Sequence, residues 1–145
     1  MTQKNLLYGA ELSPYSVKVR SFFRFKRIPH RWIIRNQANA KEFNKFAKLP
    51  IVPLVVTPNL EGLQDSTPIM DHFEELYPEI KSNPSNQTLR FLSYLLEEYS
   101  DEWGNKQMFH YRWKDPIDQK SAALRIAENN LPAVSYTHLT LPTKA

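Results

Sequence analysis

The sequence predicts an α/β domain followed by an all-helical region, and two observations support that fold class. Between residues 5 and 78, short apolar runs alternate with helical patterns in the order β-α-β-α-β-β-α. From Ser85 onward, the apolar residues recur only at helical spacing. The chain has 145 residues, 41% of them hydrophobic, which is enough to bury one core and part of a second one.

The first half of the α/β domain is predicted as strand, helix, strand and helix. Residues 5–9 form a short apolar run that ends at a glycine. Ser13-Pro14 supplies a helix N-cap followed by proline at the first helical position, so we expect a helix from there to about Lys26. Residues 30–35 are apolar in the middle, as a covered parallel strand is, and residues 38–47 suit a second helix.

The second half begins with an apolar run that contains two prolines, Leu49-Pro50-Ile51-Val52-Pro53-Leu54-Val55-Val56. Proline cannot donate to a sheet ladder, so Pro53 must lie at a strand start, an edge or a bend. X-Pro bonds that lead into buried strands are where cis isomers occur, and the hairpin and capped helix start that follow lead us to expect a cis Val52-Pro53 bond. A hairpin ending at Gln64 follows, and Asp65-Ser66-Thr67-Pro68 has the capping side chains and proline of a helix start. This order is typical of a thioredoxin-like domain, which we assign to residues 1–78.

The rest of the chain is predicted as a linker at residues 79–84 and a partial helical domain at residues 85–132. A second helix is expected from Asp115-Pro116 to Glu128. Two helices cannot enclose a core that includes as much apolar surface as the first helix presents. The first helix has one apolar face, formed by Leu89, Leu92, Leu96, Tyr99 and Trp103. Residues 133–145 do not continue the helical pattern and resemble translated sequencing adaptor, so we expect them to be a non-native tail.

Composition rules out several kinds of site. The chain has no cysteine, which removes disulfides, thiolate–metal sites and a cysteine nucleophile, and we predict no metal site. No apolar run approaches the ~18 residues of a membrane span, and the polar N-terminus is unlike a signal peptide, so we expect a cytoplasmic protein without membrane contact.

The formal net charge of +4 is concentrated in a basic stretch that contains no acidic residue. The members of this stretch are Lys18, Arg20, Arg24, Lys26, Arg27, Arg31 and Arg35. No nucleic-acid motif accompanies it, so a solvated helix face is preferred over a surface for nucleic acid or another anion.

Three segments in order resemble the N-terminal domain of cytosolic glutathione transferases, especially the serine- and cysteine-type classes. They are residues 12–20 around Ser13, residues 51–55 around Pro53, and residues 64–69 around Asp65-Ser66. Residues 85–128 are similar to the opening helices of the family's all-helical second domain. The loop before Pro53 lacks the glycine that the family usually carries. Most of the second domain is missing, so the resemblance implies a C-terminally truncated member.

The resemblance implies a site for glutathione, which is an extended peptide with a carboxylate at each end and a thiol in the middle. Glutathione would be a co-substrate, and no metal would be needed. The backbone at Val52, turned outward by Pro53, would pair with the peptide as an added strand. Asp65 would take the α-ammonium, and the helix N-terminus at Ser66 would bind the γ-glutamyl carboxylate.

The resemblance also assigns the chemical step. Ser13 would donate a hydrogen bond to the thiolate, which attacks a small electrophile, and Tyr8 is the alternative donor. Lys45 or Lys48 could reach the glycyl carboxylate, although solvated lysines are the preferred interpretation. The full-length form is expected to be a homodimer.

Each of these residues has a simpler interpretation that stays open. Ser13 can be explained as an N-cap, Tyr8 as a buried strand aromatic, and Asp65-Ser66 as a capping pair. Residues 110–113 are interpreted as core aromatics rather than as an electrophile pocket. The competing function is a non-catalytic module of the same fold that binds protein or RNA through the basic stretch, and the absence of cysteine argues against a redox role.

Overall fold

The computed structural model describes residues 4–130, which contain four β-strands and six α-helices. A π-helical turn, Ser100–Gly104, joins α4 to α5. The elements in chain order are β1 (Asn5–Gly9), α1 (Pro14–Phe25), β2 (His30–Ile34), α2 (Ala40–Asn44), β3 (Leu54–Val56), β4 (Gly62–Gln64), α3 (Ser66–Leu76), α4 (Gln87–Tyr99), α5 (Asn105–Lys114) and α6 (Pro116–Asn130).

The four strands form one mixed sheet in the order β2-β1-β3-β4. Strands β1 and β2 are parallel, whereas β3 runs antiparallel to both β1 and β4. In this register Leu7 lies opposite Trp32 on β2 and opposite Val55 on β3. The predicted βαβαββα order and the thioredoxin-like architecture are therefore confirmed.

Helices cover both faces of the sheet, and each face has its own apolar cluster. Successive strand residues point to opposite faces, so Leu7 and Tyr8 enter different clusters. Leu7 packs with residues of α1 and α3, including Phe23 and Phe73, whose ring centroids are 4.6 Å apart. Tyr8 packs with Phe43 of α2 and with alternate residues of β3.

The carboxyl end of β1 lies tightly against the start of α1. A Cβ atom at Gly9 would come within 2.2 Å of the Trp32 ring and 2.9 Å of the Ser16 Cβ. A side chain at this position would displace the Trp32 ring and press on α1, so the close approach favours glycine. This contact fixes the position of the loop that leads to Ser13.

Three local predictions about the α/β domain are corrected by the structure. Helix α2 is shorter than the predicted residues 38–47. The helical spacing of Ile69, Phe73, Leu76 and Tyr77 predicts one buried face of α3, but Leu76 is 60% exposed, because it is the last residue of that helix and Tyr77 packs on the core in its place. Lys26 was assigned to the outer face of α1 but is buried, because its ammonium group pairs with the carboxylate of Glu74.

The helical region contains one more helix than the sequence predicted. Helix α5 was missed because Phe109, Tyr111 and Trp113 alternate with polar residues, which obscures the helical period. The predicted apolar face is present and uncovered: its five residues, four on α4 and Trp103 in the π-helical turn, are between 44% and 65% exposed. The assigned domain boundaries stay predictions, and the tail at residues 133–145 lies outside the described residues. None of the described helices is long and apolar enough to cross a bilayer.

Candidate active site

A cleft of about 470 Å³ lies between the α/β domain and the helical region. The α/β domain contributes the residues after β1, the end of β2 and the loop before β3. The helical region contributes residues of α5 and one residue of α6. The lining residues used below are Leu12, Ser13, Tyr15, Arg35, Val52, Met108, Phe109 and Arg112.

Ser13 lies in this cleft as the N-cap of α1. Its Oγ accepts a hydrogen bond from the Ser16 amide at 3.2 Å, and its own amide donates to the Ala10 carbonyl at 3.0 Å. A serine hydroxyl has one proton to donate as well as two lone pairs, so capping leaves that proton available. Ser13 can therefore cap α1 and donate a hydrogen bond to a ligand at the positive end of the helix dipole.

The other hydroxyl groups near Ser13 are placed differently. Tyr8 is 3% exposed, packs edge-on against Phe43 and is not among the residues that line the cleft. Burial, followed by the charge of Glu42, raises the pKa of Tyr8, which keeps its phenol protonated. Tyr15 does line the cleft, but its hydroxyl donates to the Asp101 carbonyl at 2.8 Å. Ser16 is fully buried beside Gly9.

The loop before β3 supplies the opposite part of the lining. Val52 is half-buried and faces the cleft, Pro53 is buried, and the peptide bond between them is cis, as predicted. Neither Lys45 nor Lys48 lines the cleft, and Lys45 pairs with Glu42 on the surface.

Gln64, at the end of β4, holds this loop through four hydrogen bonds. Its Oε1 accepts from the amides of Lys48 at 2.7 Å and Leu49 at 3.0 Å. Its Nε2 donates to the carbonyls of Leu49 at 2.8 Å and Ile51 at 2.9 Å. Gln64 is predicted from the sequence only as the end of a strand, because nothing local marks a side chain that bonds to backbone about fifteen residues earlier.

Asp65 and Ser66 begin α3, but they are not the reciprocal capping pair that the simpler interpretation predicted. Ser66 is 2% exposed and is the first residue of α3. Asp65 occupies the N-cap position with φ at 75°, in the left-handed region that costs a non-glycine residue energy. Its side chain makes no capping hydrogen bond. The exposed Asp65 carboxylate is therefore free to meet a ligand, but neither Asp65 nor Ser66 is among the residues that line the cleft.

Lys18 of α1 reaches the same helix start and organises a polar group that was not predicted from the sequence. We call this group the Lys18 cluster; its members are Lys18, Ser66, Thr67, Glu97 and Asp101. Lys18 Nζ lies 2.7 Å from carboxylate oxygens of both Glu97 and Asp101. It also donates to Ser66 Oγ at 3.5 Å and to Thr67 Oγ1 at 3.4 Å. Thr67 Oγ1 in turn donates to Glu97 at 2.9 Å.

Electrostatics keep Lys18 charged. Burial lowers the pKa of Lys18, but hydrogen bonds to Asp101 and Glu97 outweigh it, so the net pKa is raised. Asp101 belongs to the π-helical turn, and irregular turns of this kind occur frequently at functional sites. The cluster thus ties α1, α3 and α4 together at the N-terminus of α3.

The basic stretch does not form one continuous face. Lys18 and Lys26 pair with acidic residues of other helices. Arg20 pairs with Glu11 at 2.6 Å and lies 4.4 Å from the centre of the Trp32 ring. Arg35 lines the cleft. The exposed members that remain are Arg24, Arg27 and Arg31.

Two arginines bring positive charge into the cleft. Arg35 follows β2, its guanidinium carbon lies 5.4 Å from the centre of the Phe43 ring, and its buried Nε has no hydrogen-bond partner within residues 4–130. Arg112 Nη2 donates to the Leu12 carbonyl at 2.5 Å. Both were missed as site residues. The position of Arg35 was a usable signal, because the carboxyl ends of the parallel strands β1 and β2 meet at one edge of the sheet.

The interpretation of residues 110–113 as core aromatics is wrong. Tyr111 is 65% exposed, and the neighbouring Phe109 is 57% exposed. Helix α5 instead contributes Met108, Phe109 and Arg112 to the cleft. Within the part of the chain that the structure describes, no group of three or more acidic or histidine side chains is arranged to hold a metal ion.

Comparison with known families gives a match over the α/β domain. A family model described as the N-terminal domain of glutathione S-transferase matches residues 7–83, which is more than half of the chain. Among curated proteins, none matches the sequence.

Many solved structures share the fold. The Tau class glutathione S-transferase from mango, Mangifera indica, is 18% identical with a TM-score of 0.62, over 86% of this chain and 58% of that one. A glutathione S-transferase from Methylobacillus flagellatus with glutathione bound is 20% identical with a TM-score of 0.59, over 87% and 66%. One from Methylobacterium radiotolerans, in complex with glutathione sulfonate, is 16% identical with a TM-score of 0.66, over 88% and 64%. The chain therefore spans less than two thirds of the length of each of these proteins.

Proposed function

Because the chain belongs to the glutathione S-transferase family, we propose that it binds glutathione in this cleft and activates the glutathione thiol for attack on an electrophile. The observation that best supports this proposal is that Ser13 and Val52 line one cleft although they are far apart in the sequence. An available hydroxyl proton and the backbone of the loop that carries Val52 suit a ligand that is an extended peptide with a central thiol.

We assign the γ-glutamyl end of glutathione to the start of α3. The free Asp65 carboxylate suits the α-ammonium group. The γ-glutamyl carboxylate of glutathione suits the unpaired amides of the first turn of α3 and the positive end of the α3 dipole. Lys18 is paired with Glu97 and Asp101 and also donates to Ser66 Oγ, so its role in this proposal is to orient the Ser66 hydroxyl rather than to supply a net positive charge.

We assign the peptide backbone to Val52 and the glycyl carboxylate to Arg35. The backbone at Val52 can pair with the extended peptide as an added strand. Arg35 brings a guanidinium into the cleft, and its buried Nε has no partner within the described residues. A charge-assisted hydrogen bond to a carboxylate would satisfy that donor.

We assign the chemical step to Ser13. A free thiol has a pKa near 8.5, and a hydrogen bond that is stronger to the thiolate than to the thiol lowers that value. The thiolate sulfur then forms a new carbon–sulfur bond with the electrophile. In a substitution, the leaving group departs with its bonding electron pair. In an addition to an activated double bond, the carbon that becomes negatively charged takes up a proton instead. Tyr8 is the alternative donor in this proposal.

The proposal is tested by calorimetric titration of glutathione into the 145-residue chain. Replacing both Asp65 and Ser66 with alanine should abolish saturable binding of glutathione, since the α-ammonium group loses its carboxylate partner and the γ-glutamyl carboxylate loses the Ser66 hydroxyl beside the helix amides. A control pair, Glu61→Ala with Ser85→Ala, removes an exposed carboxylate and an exposed hydroxyl outside the cleft and should bind like the wild type. Unchanged binding by the first pair would contradict the assigned site.

The competing function, a non-catalytic module that binds protein or RNA, predicts a different result. In that case, reversing the charges of Arg24 and Arg27 should abolish capture of the partner, and glutathione should have no effect. The division of the basic stretch between internal ion pairs and the cleft argues against this function. Family membership also supports a cytoplasmic location and a homodimer as parts of our proposal, and light scattering on a sizing column measures the latter.

A further inference from the structure

We propose that the electrophile accepted by this chain carries an anionic group and that Arg112 binds that group. This inference rests on the proposed function, since it concerns the second substrate of the same cleft. It specifies a substrate class, namely an apolar electrophile that bears a carboxylate or a comparable anion.

The lining of the cleft is electrostatically one-sided. Among the described residues, the lining contains two guanidinium groups, those of Arg35 and Arg112, and no aspartate or glutamate. Charges inside a cleft with low-dielectric walls act over longer distances than charges on an open surface. The cleft therefore attracts anions and disfavours electrophiles that carry a positive charge.

Arg112 has a large unused capacity to donate hydrogen bonds. A guanidinium has five N–H donors, and the hydrogen bond of Arg112 within residues 4–130 is the one to the Leu12 carbonyl. No carboxylate among residues 4–127, whose side chains the structure describes, forms an ion pair with it. A half-buried guanidinium with neither a countercharge nor a full set of acceptors gains from binding an anion.

The position of Arg112 points to the electrophile rather than to glutathione. Glutathione has two carboxylates, and the proposed function assigns them to the start of α3 and to Arg35. Arg112 instead comes from the helical region and contacts the residue directly before Ser13, where the sulfur is proposed to lie. A group bound by Arg112 would therefore belong to the molecule that the sulfur attacks.

The neighbours of Arg112 on α5 define the rest of the substrate. Met108 lies one helical turn before Arg112, and the Phe109 side chain is 57% exposed at the cleft. A thioether and an aromatic face suit a flat apolar group. Together with Arg112 they describe an aromatic or conjugated electrophile with an acidic substituent.

The test uses stable conjugates that combine both substrates in one molecule. Calorimetry compares the binding of glutathione, S-(para-carboxybenzyl)glutathione and S-(para-carbamoylbenzyl)glutathione to the 145-residue chain. The two conjugates have nearly the same shape and differ in charge. We expect the carboxylate conjugate to bind roughly tenfold more tightly, the usual scale of one charge-assisted hydrogen bond.

Three variants test whether Arg112 is the cation that binds the carboxylate of the conjugate. Arg112→Gln should remove the preference for the carboxylate, whereas Arg112→Lys should keep part of it because the charge remains. The control Arg24→Gln removes an exposed arginine outside the cleft and should keep the full preference. The wild-type comparison needs no variant, so it stands even if Arg112→Gln loosens the Leu12 loop.

The outcomes separate this inference from the proposed function. Equal affinity of the wild type for both conjugates, together with measurable binding of glutathione, would overturn the inference and leave the proposed function intact. A preference that survives in Arg112→Gln would also overturn it. Failure of glutathione and both conjugates to bind would overturn the proposed function and the inference with it.

Discussion

The hydrogen bonds of Gln64 predict how strongly the loop before β3 controls ligand binding. Gln64→Ala removes four hydrogen bonds to residues 48–51, and the freed backbone groups become hydrated because the loop is exposed. At about 0.5 kcal/mol for each exposed bond, the loop loses about 2 kcal/mol. If glutathione binding must restore the closed loop, its Kd should rise by up to about 30-fold.

The assay is calorimetric titration with glutathione, combined with hydrogen exchange at the amides of Lys48 and Leu49, which should be faster in the variant. Gln64→Glu keeps an acceptor for these amides but turns a carboxylate oxygen toward the carbonyls of Leu49 and Ile51, so it should be at least as damaging as alanine. Gln87→Ala, at an exposed position on α4, is the control and should change neither measurement. Unchanged affinity and unchanged exchange in Gln64→Ala would refute the claim that Gln64 holds the loop.

Two further predictions concern catalysis and stability. Ser13→Ala should lower kcat for transfer of glutathione to an aryl halide by roughly 10- to 1000-fold, the scale for losing one well-placed donor. Tyr8→Phe should lower it much less, and the reverse order of effects in steady-state assays would make Tyr8 the donor. Burial raises the pKa of Glu74, but hydrogen bonds from Lys26 and Ser82 outweigh it and lower the net value. A lowered folded-state pKa means that this carboxylate stabilises the fold above the unfolded value of 4.5, and that the stabilisation disappears as the pH falls through the folded-state pKa. Urea unfolding should therefore show Glu74→Gln to be less stable than the wild type by roughly 1–3 kcal/mol at neutral pH, with a difference that shrinks below about pH 4.5; a pH-independent difference would contradict the ion pair.

The α/β domain was predictable because its signals are local. A serine followed by proline marks the start of α1, and its side chain caps that helix as expected. Pro53 marks the start of β3, and the hairpin and α3 follow where turn residues and a second proline place them. These residues act through their own backbone preferences, so their sequence neighbours are enough to predict them.

The polar contacts of the site were not predictable for the opposite reason. Lys18 and Asp101 are 83 residues apart, and only the packing of α4 against α1 and α3 brings them together. Arg112 reaches the Leu12 carbonyl across 100 residues. Long side chains of this kind look like solvated surface residues in a sequence, because their partners are set by tertiary structure.

The pKa of the glutathione thiol bound to the chain tests the central claim most directly. The chain has no cysteine, so the ultraviolet absorbance of a thiolate can belong only to the ligand. Tyrosines ionise near pH 10, so the titration is kept below about pH 9. The account predicts a bound thiol pKa below the free value of about 8.5 in the wild type, and a rise toward that value in Ser13→Ala. A bound thiol that titrates at or above the free value in the wild type would contradict the claim that this cleft activates glutathione.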